Sequence, residues 1–309
     1  MQFLDMLIIV PCSSKKSITV SSRLHAHAVR AKTLDGYARE WVRRVRAETA
    51  TFLPDEVYAG QGMAAARNAA EQLEGELHIL SAGLSIVSPT TRIPGYNLTI
   101  SHEGPRPFDN ISESAKAADW WLSLNRAFGT ERPLAKLIKS HDAQVIVALP
   151  TSYLSMVECE LAAIGIAERK KLRIITSVNT VLKSELAAIA IRYDQRLNVA
   201  EGAPHGANAS FIQRALLHLS RLLSENSRTR AIASQQSLVD RALGTTIPIC
   251  SPLRHRVTDA ALLKLIESAL RNKIIARTTL LEIMRRDNNI ACEQHRFSNL
   301  YDQVLTVRK

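Results

Sequence analysis

Four cysteines are scattered through 309 residues, at positions 12, 159, 250 and 292, and no two of them form a C-x-x-C pair. That spacing excludes zinc-ribbon and thioredoxin-type motifs and predicts reduced thiols in a cytoplasmic protein. No stretch approaches the roughly 20 consecutive apolar residues of a membrane-spanning helix, so no membrane partner is expected. The chain enters an apolar strand almost at once, without a charged region, apolar core and cleavage site, so an export signal is not expected. G-x-x-x-x-G-K-[ST], G-x-G-x-x-G and G-x-S-x-G are all absent, which removes the motif grounds for a nucleotide cofactor or a serine hydrolase. His25 and His27 diverge on either a helix or a strand, and His102, His141 and His205 lie far apart. Neither set has ligand spacing, so no metal and no cofactor is predicted. Acidic residues are short as well: 29 Asp and Glu face 40 Lys and Arg, a net charge of +11. That imbalance favours polyanionic partners, nucleic acid first.

What is present is organised around Leu7-Ile8-Ile9-Val10-Pro11-Cys12-Ser13-Ser14-Lys15-Lys16. Four apolar, mostly β-branched residues predict a short buried strand, and Pro11 cannot continue its hydrogen-bond ladder. The turn that follows carries a thiol, two hydroxyls and two ammonium groups, the expected mouth of an open α/β sheet. Further strands are predicted at 77–84, 144–149 and 171–177, separated by helical patterns at 22–47, 62–73 and 111–128. Alternating strands and helices predict an open, mostly parallel sheet with helices on both faces. Three of the four predicted strands end in a serine-bearing turn, and a parallel sheet places those turns along one edge. Gly83 in one of them would allow a positive φ or a close backbone approach. Between the second and third predicted strands lies a long loop, 88–107, carrying Arg92, Tyr96, Asn97, His102 and Arg106. Loops this long in a compact domain are usually binding elements. Of Trp120 and Trp121, about 100° apart on a helix, one is expected in the core and the other partly exposed.

Seven Lys and Arg between 23 and 46 oppose Asp35 and Glu40, which suggests a cationic helix face for phosphates. From about 205 the strand signals vanish and helices are predicted at 209–225, 229–243 and 259–272. The last segments, 278–286 and 293–301 around a turn at 287–289, read as helix-turn-helix-like. Residues 251–309 carry eleven Lys and Arg against six Asp and Glu, a net of +5, and Arg285, Arg286 and Arg296 are candidate phosphate contacts. The expected division is an α/β domain over 1–204 and an all-helical, DNA-binding region over 205–309.

The run Ile9-Val10-Pro11-Cys12-Ser13-Ser14-Lys15-Lys16, with Ser21-Ser22 and His25 after it, resembles the opening of the accessory domain of archaeosine-type tRNA-guanine transglycosylases and archaeosine synthases. Val57-Tyr58-Ala59-Gly60, Leu80-Ser81-Ala82-Gly83-Leu84 and Pro89…Pro94-Gly95-Tyr96-Asn97 resemble the YaaA-like peroxide-stress family. Two departures stand out: Ser17 follows Lys16 where proline is usual, and the aromatic expected after Ser81-Ala82 is missing. The resemblance covers roughly 7–180 and implies a core similar to uracil-DNA glycosylases. Related prokaryotic antiviral glycosylases excise hypermodified bases, such as glucosylated hydroxymethylcytosine, from phage DNA. The implied activity is cofactor-free N-glycosidic hydrolysis on a flipped base of double-stranded, base-modified DNA, leaving an abasic site. In that role Asp109, the carboxylate nearest the polar loop, would activate water or stabilise the oxocarbenium-like sugar. It could equally cap the following helix. Asn97 would hydrogen-bond the base, with Tyr96 or Tyr153 stacking on it. Cys12, Ser13, Ser14, Ser81, Gly83 and Ser152 would line the substrate, and Lys15, Lys16 and Arg92 would meet DNA. A 7-deazaguanine-type base-modifying transferase on tRNA or DNA, or a non-catalytic DNA-binding protein, are the alternatives.

Overall fold

The computed structural model describes residues 6–13, 15–101, 106–107, 111, 115–225, 232–245, 254–271 and 275–307. They fall into two compact units, Met1–Pro248 and Ile249–Lys309. The first unit holds β1 (Met6–Pro11), β2 (Gly75–Ser81), β3 (Ser85–Val87), β4 (Val145–Ala148), β5 (Leu172–Ser177) and β6 (Ala190–Tyr193). They form one sheet in the order β3-β2-β1-β4-β5-β6, parallel except for the β2–β3 hairpin. Ile8 lies between Leu77 and Ile146, and Leu7 through Val10 are wholly buried, as a central parallel strand covered on both faces requires. Strand order reverses between β1 and β4. That is the switch point of an open α/β sheet, where a crevice forms beyond the carboxyl ends.

The helices of this unit are α1 (Leu34–Ala47), α2 (Pro54–Val57), α3 (Gln61–Gln72), α4 (Ala117–Phe128), α5 (Pro133–Ser140), α6 (Thr151–Ala162), α7 (Ile166–Lys171), α8 (Ser184–Ala187), α9 (Phe211–Glu225) and α10 (Ile232–Leu243). One layer runs α1, α4, α6, α5; the other pairs α3 with α9, which also reaches β4 and β5, while α10 covers β6. This moves the predicted boundary from 204/205 to the far side of α10. Helix α9 buries every residue from Phe211 to Ser220, so it belongs to the α/β core.

Three local expectations also change. The helix predicted from Ser22 begins only at Leu34, where Thr33 Oγ1 accepts from Gly36 N. Upstream, the backbone of Leu24 and Ala26 pairs with Asn97 instead, at 2.8 and 2.9 Å, and only two 3-10 turns form. The helix predicted from 111 starts at Ala117. Trp120 and Trp121 are both buried, because each indole N–H finds a buried acceptor, Ala82 O at 2.7 Å and Glu160 Oε2 at 2.6 Å.

The second unit contains β7 (His255–Arg256), α11 (Asp259–Leu270), α12 (Arg277–Arg286), β8 (Ile290–Ala291) and α13 (Gln294–Val307) around its own core, with Phe297 wholly buried in it. Helix, turn and helix are where the sequence places them, with Asn289 at φ 53° in the turn. The region is not all-helical, since β7 and β8 pair in parallel. Among the described residues no helix is long and apolar enough to cross a membrane.

His218 on α9 sits against Tyr193, whose hydroxyl lies 3.1 Å from Nδ1. Burial pushes the imidazole down to about 4 from its ordinary 6.5. A depressed histidine is held neutral by the fold, so its contribution is complete above pH 6.5 and is lost as pH falls towards 4. Urea midpoints should drop across that window for the wild type. His218→Gln, which cannot charge, should flatten that part of the profile.

Candidate functional site at the carboxyl ends of the strands

Two hydrogen-bond relays occupy the carboxyl ends of β1, β2 and β4. The first starts at Ser81, the last residue of β2, whose Oγ accepts from Gly83 N at 3.1 Å and Leu84 N at 2.9 Å. A hydroxyl has one proton and two lone pairs. With both lone pairs engaged, Ser81 donates to Tyr96 Oη at 2.6 Å, and Tyr96 in turn donates to Tyr58 Oη at 2.9 Å. Tyr58, wholly buried, ends the chain. The second relay crosses the switch point itself. Tyr153 Oη lies 3.0 Å from Cys12 Sγ. Cys12 follows β1 and Tyr153 is on the first turn of α6 after β4, so this contact joins the two strands that bracket the crevice.

Lys16 lies over the first relay. Its Nζ is 4.8 Å from the ring centres of Tyr58 and of Tyr96, within cation–π range, and it donates to Ser13 O. Burial lowers its pKa, opposed by the nearby Cys12. Burial likewise raises Tyr58, Tyr96 and Tyr153, so the three phenols stay protonated donors at neutral pH. A thiol and an amine therefore lie near one another with no carboxylate bonded to either among the described residues, while Tyr58 is as wholly buried as Tyr96. Such a set can donate hydrogen bonds to a ligand and hold an anion; it does not by itself activate water.

The other candidates disperse. Ser13 Oγ donates to Lys15 O, and Lys15 is exposed. Ser81 and Tyr96 are wholly buried and internally bonded, which makes them scaffold rather than lining or a stacking platform. Gly83 has a negative φ, and its close approach is to Tyr96: a Cβ there would lie 2.8 Å from that ring and 3.2 Å from Trp41. Asn97 does not join its neighbour Tyr96, because alternate residues of an extended segment face opposite ways. It contacts His25 Nδ1 at 3.3 Å instead. Ser152 is half-buried on α6, and Arg92 is exposed and donates to Thr51 O. Ser14 and Asp109 lie outside the described residues. Tyr58 is the member that the sequence reading missed. Tyr58 sits inside a quoted motif, but its partner is 38 residues away.

In the second unit, Arg285 donates twice to Cys292 O, at 2.7 and 3.1 Å. Arg296 bonds Asp259 Oδ1 at 2.7 Å and Val257 O at 2.7 Å. Both make ties within the unit. Arg286, with a side chain 78% exposed, is paired with its neighbour Asp287.

The chain matches no protein-family model, and no curated protein matches it. Among the described residues no three His, Cys, Asp or Glu side chains gather as a metal site would require.

Two outcomes follow from this geometry. Gly83→Ala should cost about 1–3 kcal/mol by overpacking against Tyr96 and Trp41, measured by urea unfolding. Arg296→Ala should destabilise the full chain by about 1–2 kcal/mol and leave the salt dependence of DNA binding unchanged. Arg286→Ala should do the reverse, lowering the slope of log K against log salt by about 0.9.

Proposed function

We propose that the chain is a DNA glycosylase that removes a modified base from DNA and leaves an abasic site, acting against phage DNA. The observation that carries the reading is the Cys12–Tyr153 contact across the switch point, with the Lys16 amine near the Cys12 thiol. It places donors and one cation at the edge where open α/β sheets bind ligands. The net charge of +11 and the resemblance of the 7–16 and 80–97 motifs to base-acting families support it.

In this reading the target nucleotide is extruded from the duplex, since its glycosidic bond cannot be reached in the stack. Water adds to C1′ as the C1′–N bond breaks. The water's proton goes to a base, and the departing nucleobase takes up a proton as it leaves. Asp109 is the proposed proton acceptor. Lys16 stabilises negative charge on the departing base or on a phosphate. Asn97, on the His25 side, is the proposed contact to the base. Double-stranded, base-modified DNA is the proposed partner, with Arg286 of the second unit supplying sequence-independent affinity. A base-exchanging transferase is the second reading, favoured by the Cys12 thiol beside the Lys16 amine, a nucleophile pair that hydrolysis does not need.

One assay separates them: incubation with modified and with plain phage DNA, followed by mass spectrometry of the released and retained bases. Free modified base with alkali-labile sites is the expected result, and Asp109→Ala should abolish it while unfolding like the wild type. An altered base without strand lability would establish the transferase, and unchanged DNA would leave a binding protein.

A further inference from the structure

We infer that Lys16 is a Schiff-base lysine: its amine captures the aldehyde of an abasic sugar and opens the DNA strand there, an activity beyond base removal. The identity of the aldehyde rests on the proposed function, whose product in its ring-opened form is that aldehyde. Two lysines among the described residues are half-buried rather than exposed, Lys16 and Lys171. Lys171 immediately precedes β5 and donates to His141 O, which puts it at the amino-end edge of the sheet. Lys16 follows β1 and so stands at the opposite, carboxyl edge, beside the switch point where open α/β sheets bind ligands.

An amine adds to a carbonyl only with its lone pair free, so a Schiff-base lysine must shed its proton. Burial favours that loss at Lys16, against the opposing pull of Cys12. No carboxylate acts on Nζ among the described residues, so no ion pair holds the proton in place. The nitrogen that stabilises the departing base as an ammonium therefore meets the sugar as an amine. It is also aimed. Backbone pairing with Tyr58 fixes the start of the side chain, the Tyr58 and Tyr96 rings flank Nζ at 4.8 Å each, and Ser13 O accepts one of its protons. The amine adds to C1′ of the open-chain sugar, and the carbinolamine loses water to leave a C=N bond. Protonated, that imine carries its positive charge on the nitrogen that two aromatic faces already flank, which stabilises it. The C2′ proton then passes to water, a C2′–C3′ double bond forms, and the C3′–O bond breaks with its electron pair leaving on the phosphate. Water hydrolyses the imine and returns the amine of Lys16.

The test is borohydride trapping of the full chain on a duplex oligonucleotide carrying one preformed abasic site, which needs no base release. Hydride reduction of the imine should leave a stable protein–DNA adduct, and peptide mass spectrometry should find it on Lys16. Lys16→Met, which keeps an apolar stem over the rings, should lose both the adduct and strand cleavage without alkali, with thermal unfolding showing that it folds. Mapping of the wild-type adduct gives the answer even where that variant does not fold. No adduct, an adduct undiminished in Lys16→Met, or one on exposed Lys15 or spread over other surface lysines overturns the assignment. An adduct on Lys16 without base release from modified DNA rejects the glycosylase and upholds the lysine. Base release without an adduct does the opposite.

Discussion

Ser81 takes two backbone N–H groups onto one oxygen, and much of the polar interior follows from that choice. The tight turn it closes lets β2 fold back into β3, but it strands the carbonyls of Ala82 and Gly83 where no ladder can reach them. A buried carbonyl needs a donor. Trp120 supplies one to Ala82 and Trp41 the other to Gly83, each at 2.7 Å, so α4 and α1 are both positioned by indole bonds to the same turn. The Tyr96 ring then packs flush on Gly83, and its hydroxyl passes the Ser81 proton on to Tyr58. A core of this kind is costly to leave half-satisfied, which ties the geometry of the site to the stability of the fold.

The sheet adds an independent constraint. Because strand order reverses between β1 and β4, no crossover covers the gap beyond their ends. The chain fills that gap with a thiol and a phenol rather than with hydrocarbon. Lys16 is kept over the rings by its own carbonyl partner, Ser13 O, and by the pairing of its backbone with Tyr58. A cation held between two aromatic faces, with no carboxylate bonded to it among the described residues, is weakly solvated and weakly neutralised. Its electrostatic reach towards an incoming anion is correspondingly longer than that of exposed Lys15.

How much of this was legible in the sequence depended on local signal. β1, β2, β4 and β5 were readable because buried parallel strands are continuous apolar runs. β3 and β6 were missed: they are three and four residues long, too short for periodicity to register. The helix read from Ser22 failed because a long-range bridge to Asn97 outcompeted local propensity, and no window of sequence contains that partner. Helix α9 was assigned to the wrong unit for a related reason. Helical spacing reveals an apolar face but not which surface covers it.

The candidate site was legible in its residue types and not in its pairings. Cys12 and Tyr153 were both singled out, yet 141 residues separate them, and only the switch point brings them into contact. Tyr96 and Asn97 were read as one device, whereas extended backbone sends them to opposite sides. Charge was the least informative signal, because a count of basic residues ignores partners. Arg285 and Arg296 raise the tail's net charge while their donors hold its turns together, and Arg43 and Arg44 do likewise on α1 through Glu40. What a polyanion senses is the unneutralised remainder. Arg30 and Lys32, both exposed and without a carboxylate partner among the described residues, belong to that remainder, in a segment that the Asn97 bridge prevented from becoming helix. The same long-range pairing that defeated the local reading therefore leaves two cations on irregular backbone, where a continuous helix would have spread them along its surface.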